Sequence, residues 1–572
     1  MKKTVIISLF LALCSPLIAA YNIKTDPLLN TMQKEINRSM ALLKKANPPV
    51  YFLSYQITDS ATHTIVAALG ANAFETVRRN RLLDIEARVG TRQMDNTRKI
   101  KELSFDAFSG RGFTANVPLE DDVKTLQKVL WLQTEETVKK AQEAYQKVKT
   151  NVQTAAQRTD NSPDFSAPMP PQTYYATIEP PVLDTAKIKE QLNEFSAMFK
   201  GYDFIFSSEV VFSMRAENVY YVNSEGTKLK NPAIYMRLSY SITSRNADGM
   251  EVERTNSYDF IDINKMPSPE RVKADIAKSI AELKILQNAP VAEPFHGPAI
   301  LRNRAAGVFF HEILGHRIEG HRQKDDDFGQ TFTAKLNQQV ISPLISVCDD
   351  PTTQEFNAVP LRGHYLFDNE GVPSQNVVII EEGILKGFLM GRSPIKGFPQ
   401  STGHGRKATG YGTVARMGVT KVTASSTMSF EDLRLKLIEE IKRQDKPYGL
   451  IIEDISGGFT NTDTYGPQSF KVKPLLVYRV YPDGRPDEII RGADIVGTPL
   501  MSFNKITAAA EDYAVFNGTC GAESGWVPVS AIAPSILVSE IEIEKVEKTY
   551  DAPPLLPPPS APAASKTTKG AK

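Results

Sequence analysis

His311, Glu312 and His316 form an H-E-x-x-x-H run directly after the apolar stretch Ala305-Ala306-Gly307-Val308-Phe309-Phe310. Histidine is scarce, at 7 in 572 residues, yet His296, His311, His316 and His321 all fall in one short segment. In the related pattern H-E-x-x-H, two imidazoles one helical turn apart bind Zn²⁺ and the Glu is the general base. Here the second His comes one position later. Five steps along an ideal α-helix rotate a side chain about 140° from the first, so the two rings leave a common face. A π-bulge would return them to it, and Gly315 lacks the Cβ that would resist one. The spacing therefore predicts a bulge between His311 and His316. A catalytic zinc also needs a third protein ligand and keeps a fourth position for water. Glu319, His321 and Cys520 are the candidates.

The rest of the chain must fold to hold that run. Lys and Arg number 67 against 66 Asp and Glu, a net charge of +1. Nucleic acid and anionic membranes reward a basic excess that this chain lacks, so neither is expected as a partner. Three cysteines exclude a disulfide framework. Residues 1–20 join a basic start (Lys2, Lys3) to a short apolar run and end on Ala19 and Ala20, the pattern of a cleaved signal peptide. No later stretch approaches the roughly 18 apolar residues of a membrane span. The chain is thus expected to be exported, periplasmic or secreted, with no integral span after signal cleavage.

Residues 21–290 read as an N-terminal α/β-type domain with an antiparallel sheet and long helices. Helical spacing covers 26–46, and strands are expected at 51–58, 64–69 and 83–89. A long charged helix over 119–157 reads as a brace. Six prolines make 162–181 an extended loop. A helix at 185–200, an antiparallel meander from 203 to 263 and an amphipathic helix at 269–288 follow. Pro290 and Pro294 then break the chain. Residues 298–546 read as a β-rich catalytic domain built around the H-E-x-x-x-H helix, and 551–572 as a disordered Pro-rich tail. The fold class expected is α+β.

Further motifs appear in order: Asn223-Ser224-Glu225-Gly226-Thr227, Asp349-Asp350-Pro351-Thr352, Asp368-Asn369-Glu370-Gly371, Ser401-Thr402-Gly403-His404-Gly405-Arg406, Arg416-Met417, and Cys520-Gly521 with Val527-Pro528-Val529. With the H-E-x-x-x-H run they make the chain resemble the TldD/PmbA family of zinc metallopeptidases, on the TldD side that keeps the metal motif. The resemblance covers about 299–544 strongly and 26–288 loosely. His321 stands where the family often has Asp.

That resemblance implies one Zn²⁺ per chain, held by His311, His316 and Cys520, with Glu312 as general base. It implies a zinc-dependent peptidase acting on unfolded or extended peptides. It also implies a homodimer, or a heterodimer with a PmbA-like paralogue. His404, Arg406 and Arg416 are expected to bind substrate, and Glu319 to stand behind the ligands. The competing expectation is an exported, non-catalytic binding or assembly subunit with a structural zinc. A Cys348–Cys520 disulfide would deny the metal its thiolate.

Overall fold

The computed structural model describes residues 25–99, 114–154, 160–324, 330–462, 469–497 and 503–546. The signal peptide and the tail expected at 1–20 and 551–572 lie outside these residues. The fold is α+β and rich in sheet.

The N-terminal half is built on one long hairpin. Val50–Ala68 and Ala71–Val89 are 19 residues each and pair antiparallel. Leu69 and Gly70 join them at positive φ (49° and 80°), as a two-residue turn matched to strand twist requires. The sequence suggested two short strands broken at the polar positions 59–63, but the strand runs straight through. Asp59 accepts hydrogen bonds from Arg79 and Arg81, and His63 pairs with Glu75 at 2.7 Å, both across the ladder. Cross-strand pairing makes that polar stretch compatible with a strand. The meander likewise consolidates, into Ser207–Asn223, Lys228–Arg245 and Glu251–Phe260.

These strands form a seven-stranded sheet, completed by Thr114–Asn116 and Thr173–Tyr175. The last is a short parallel edge strand within the Pro-rich loop, where prolines on either side are tolerated. Helices Pro27–Leu43 and Val123–Thr154 cover one part of the sheet through Leu29, Met32, Ile36, Leu126 and Leu130. Helices Thr185–Ala197 and Pro269–Asn288 cover another through Leu192, Phe195, Ile276 and Leu283. The long charged helix is therefore one-sided, buried along its apolar stripe and exposed opposite.

Among the described residues the C-terminal half has two large sheets and two short two-stranded ones. Phe295–Leu301, Gly449–Thr460, Phe470–Val480, Ala493–Gly497 and Ile536–Lys545 pair in a closed ring, because Gly449–Thr460 bonds both Phe295–Leu301 and Phe470–Val480. A six-stranded sheet stands beside it. Its order ends Ile345–Asp349, Val419–Ala424, Gly525–Ala533, Ala514–Ala522, which puts the last strand at the edge. The helix Asn303–Ile313 lies between barrel and sheet, and every residue from Ala305 to Ile313 is buried. This explains its composition: a helix enclosed on all sides can be apolar all round.

The two halves are joined by a fully buried arginine. Arg392 Nη1 donates to Glu225 Oε2 at 2.7 Å, and its Nη2 donates to Glu225 Oε1 and Ala167 O. Its Nε donates to Ser166 Oγ, and its guanidinium lies 4.1 Å from the Phe165 ring centre. The Asn223–Thr227 turn and the Pro-rich loop thus receive a side chain from the other half, in a bidentate geometry that only Arg offers.

Candidate metal centre

Buried Asn303–Ile313 carries His311 and Glu312 in its last turn, and there the helix ends. The bulge expected from the spacing is absent. Leu314 caps the helix, and Gly315–Arg317 forms a 3₁₀ turn bearing His316. Because the chain leaves the helix after Ile313, His316 is no longer bound to the helical rotation, and its ring centre lies 5.2 Å from that of His311. Gly315 matters for a second reason: a Cβ there would lie 1.9 Å from Met417 Sδ, so the turn packs where no side chain fits. Arg317 closes the helix end, donating to the carbonyls of Glu312 and Ile313, and to Thr460 Oγ1 at 2.7 Å. A cation at a helix C-terminus is favourable, and this one also fixes the barrel strand against the helix.

The third donor arrives from the edge strand Ala514–Ala522. Cys520 Sγ lies 3.2 Å from His311 Nε2 and 3.2 Å from His316 Nε2. The three donor atoms all lie within 4.8 Å of one another, and all three residues are buried. Cys348 and Cys520 are both free, so they form no disulfide.

The electrostatics are those of a proton-loaded ligand set. Burial works to raise the Cys520 thiol, but the two imidazoles reverse this and hold it well below its usual range. Burial works to lower His316, but the Cys520 thiolate and Glu319 push it up to about 10. His311 is raised by the same thiolate against its own burial. Behind the ligands, His316 Nδ1 faces Glu319 Oε2 at 3.4 Å. Glu319 is fully buried, and despite that burial His316, Arg322 and Arg416 hold it down to about 2. Arg322 Nε donates to Glu319 Oε2, and its Nη2 donates to Glu523, which also pairs with His321.

Two imidazole nitrogens and a thiolate match Zn²⁺ chemically, and the three donor atoms lie close enough together to hold one ion. Glu312 is buried beside the donors. Gly458 of Gly449–Thr460 backs onto it so closely that a Cβ there would lie 2.5 Å from Glu312 Cγ.

His404, Arg406 and Arg416 do not face open space. His404 is fully buried, with Nε2 3.2 Å from Asp349 Oδ1 and Nδ1 within 3.0 Å of Thr402 Oγ1 and O. Asp349 also accepts from the Gly418 and Val419 N–H groups and from Thr420, which ties three loops together. Arg406 donates to Met417 O and lies over the Tyr365 ring. Arg416 is the one nearest the ligands: it donates to Cys520 O at 2.9 Å and to Ser524 Oγ, with its Nε 3.3 Å from Glu319 Oε1. As placed, all three are buried and bonded to groups of the protein. Sequence reasoning missed Gly458, Arg322, Glu523 and the Glu370 carboxyl. Glu370 alone carried a signal, as part of the Asp368–Gly371 motif.

The chain is similar in sequence and in fold to known proteins. Residues 295–545 match the model of the PmbA/TldA metallopeptidase C-terminal domain. The chain is 29% identical to a metalloprotease TldD homolog of Haemophilus influenzae over 250 residues, which is 43% of this chain and about half (48%) of that relative. It is 26% identical to a zinc metalloprotease TldD homolog of Saccharolobus solfataricus over 379 residues, 64% of this chain and 76% of the relative. The structure of TldE from Thermococcus kodakarensis superposes with a TM-score of 0.58 at 15% identity, covering 90% of this chain and 99% of that one, a likeness of fold. The domain model and the curated relatives thus agree that residues 295–545 carry a C-terminal domain of the PmbA/TldA metallopeptidase type.

Proposed function

We propose that this protein is a zinc-dependent peptidase that hydrolyses peptide bonds in unfolded or extended peptides. The observation that carries the reading is the convergence of His311, His316 and Cys520 within 4.8 Å, with Glu312 adjoining. A bound zinc supplies a water of lowered pKa and a Lewis acid for the substrate carbonyl. His311, His316 and Cys520 would hold it, one ion per chain. Glu319 orients His316 through Nδ1, a partner that such ligands commonly need. Glu312 takes the proton of the attacking water and returns it to the leaving amine. Gly458 leaves the space that the Glu312 side chain occupies.

Extended substrate is supported by two strand edges near the centre. Ala514–Ala522, which carries Cys520, is the edge strand of its sheet. Gly449–Thr460 bonds Phe295–Leu301 only at 450–452, which leaves its Gly457–Thr460 end open on the Glu312 side. Extended peptides add to such edges through main-chain hydrogen bonds. The protein is further read as exported, periplasmic or secreted, from residues 1–20, and as a homodimer or a heterodimer with a PmbA-like paralogue. Among the described residues no helix is long and apolar enough to cross a membrane.

Metal analysis with a peptide-library digest of the wild type and Glu312→Gln tests the reading. One zinc in both and cleavage in the wild type alone supports it. Zinc without cleavage in either favours the binding-subunit alternative.

A further inference from the structure

A cavity of about 680 Å³ lies between the two halves, a size that suits a small ligand or a peptide side chain. Its wall includes Glu523, three residues past Cys520, and Ala415, next to Arg416, so it adjoins the metal centre. Ala141 and Ala144 of the long helix and Val414 give it apolar sides.

The charges around it are matched, with one exception. Arg88 bonds Glu86 and Asp95, Lys407 pairs with Asp84, and Arg392 uses its guanidinium on Glu225, Ser166 and Ala167. Glu370, which is 6% exposed and lines the cavity, has no cation bonded to it among the described residues. Its Oε2 accepts only the Arg392 backbone N–H, at 2.6 Å, and its other oxygen has no hydrogen-bond partner there. Asp368 stands beside it, accepting from the N–H groups of Glu370, Val372 and Gly405. A Cβ on Gly405 would lie 2.2 Å from Glu370 Oε2 and 3.1 Å from Asp368 Oδ2, so the two carboxyls converge.

We propose that this cavity binds an organic ammonium group, from a peptide's N-terminus or a lysine side chain, on Glu370. Burial and Asp368 make Glu370 hold its proton at the cavity wall, and an ammonium brought in from outside displaces that proton and pairs with the carboxylate. The apolar sides accept the aliphatic stem of a lysine while its head meets the carboxyl. The pocket therefore selects positively charged substrate, and in that respect rests on the peptidase reading.

Calorimetry on Glu312→Gln protein tests binding without turnover, so that a failure of cleavage and a failure of this inference are separate results. The probes are acetyl-Ala-Ala-Lys-Ala-Ala-amide, penta-alanine amide with a free N-terminus, and acetyl-penta-alanine amide. One or both charged probes should bind at least 10-fold tighter than the neutral one, and whichever binds identifies the source of the ammonium. Adding Glu370→Gln should abolish the preference. Ala144→Trp, which puts a large side chain into the cavity from its apolar wall, should weaken the favoured probe at least 10-fold and keeps the test decisive if Glu370→Gln unfolds. Equal affinity for all three probes, or a preference that survives both substitutions, overturns the proposal.

Discussion

Cys520 Sγ and His316 Nε2 stand 3.2 Å apart although 204 residues separate them in the chain. The contact ties the edge strand of one sheet to a 3₁₀ turn at the end of the buried helix. Removing the thiol should dismantle the ligand set and leave both imidazoles in place. We expect Cys520→Ala to hold less than about 0.1 zinc per chain by elemental analysis while its circular dichroism stays that of the wild type.

Glu319 faces the proposed ligand His316 directly and reaches the Cys520 backbone through Arg416. Glu319→Gln keeps the shape and removes the charge that holds the ring. Zinc affinity should fall about 10–100-fold in a competition titration with a chromophoric chelator. An unchanged affinity would show that His316 needs no such partner.

Gly458 separates metal binding from chemistry. The Cβ of Gly458→Ala would collide with Glu312 Cγ at 2.5 Å, and the three atoms nearest to it all belong to Glu312. The variant should keep its zinc and lose at least about 10-fold in kcat, the range expected when a general base is misplaced.

The Asp368–Glu370 pair gives a stability signature in pH. Burial and the neighbouring Asp368 push Glu370 up to about 8 from an ordinary 4.5. The folded state therefore holds this proton more tightly than the unfolded state. Its contribution is complete below about 4.5 and is lost as pH rises through about 8. Urea denaturation at pH 5 and pH 9 should show a wild-type loss on the order of 1–4 kcal/mol that Glu370→Gln reduces. An equal loss in both would exclude Glu370 as the source.

The helix was readable because its apolar run is continuous, and two of the three clustered donors because H-E-x-x-x-H is rare. The bulge was a false inference from spacing alone. The helix ends instead, at a turn shaped by Gly315 against Met417, a contact from a strand end about 100 residues away that no local pattern records. Cys520 could not be told from Glu319 or His321 by spacing, and only the resemblance singled it out. Polar positions 59–63 looked like a strand break because their partners Glu75, Arg79 and Arg81 lie on the return strand. His404, Arg406 and Arg416 looked like substrate contacts for the same reason: sequence shows their donors but not the carbonyls and carboxylates that already occupy them.

The central claim is that Glu312 is the base of a zinc peptidase, and one paired measurement addresses it most directly. Wild type and Glu312→Gln are analysed for metal and incubated with the same peptide library, with products read by mass spectrometry. The account expects one zinc per chain in both proteins and new peptide termini only with the wild type. Equal cleavage by Glu312→Gln, with its zinc retained, would contradict it.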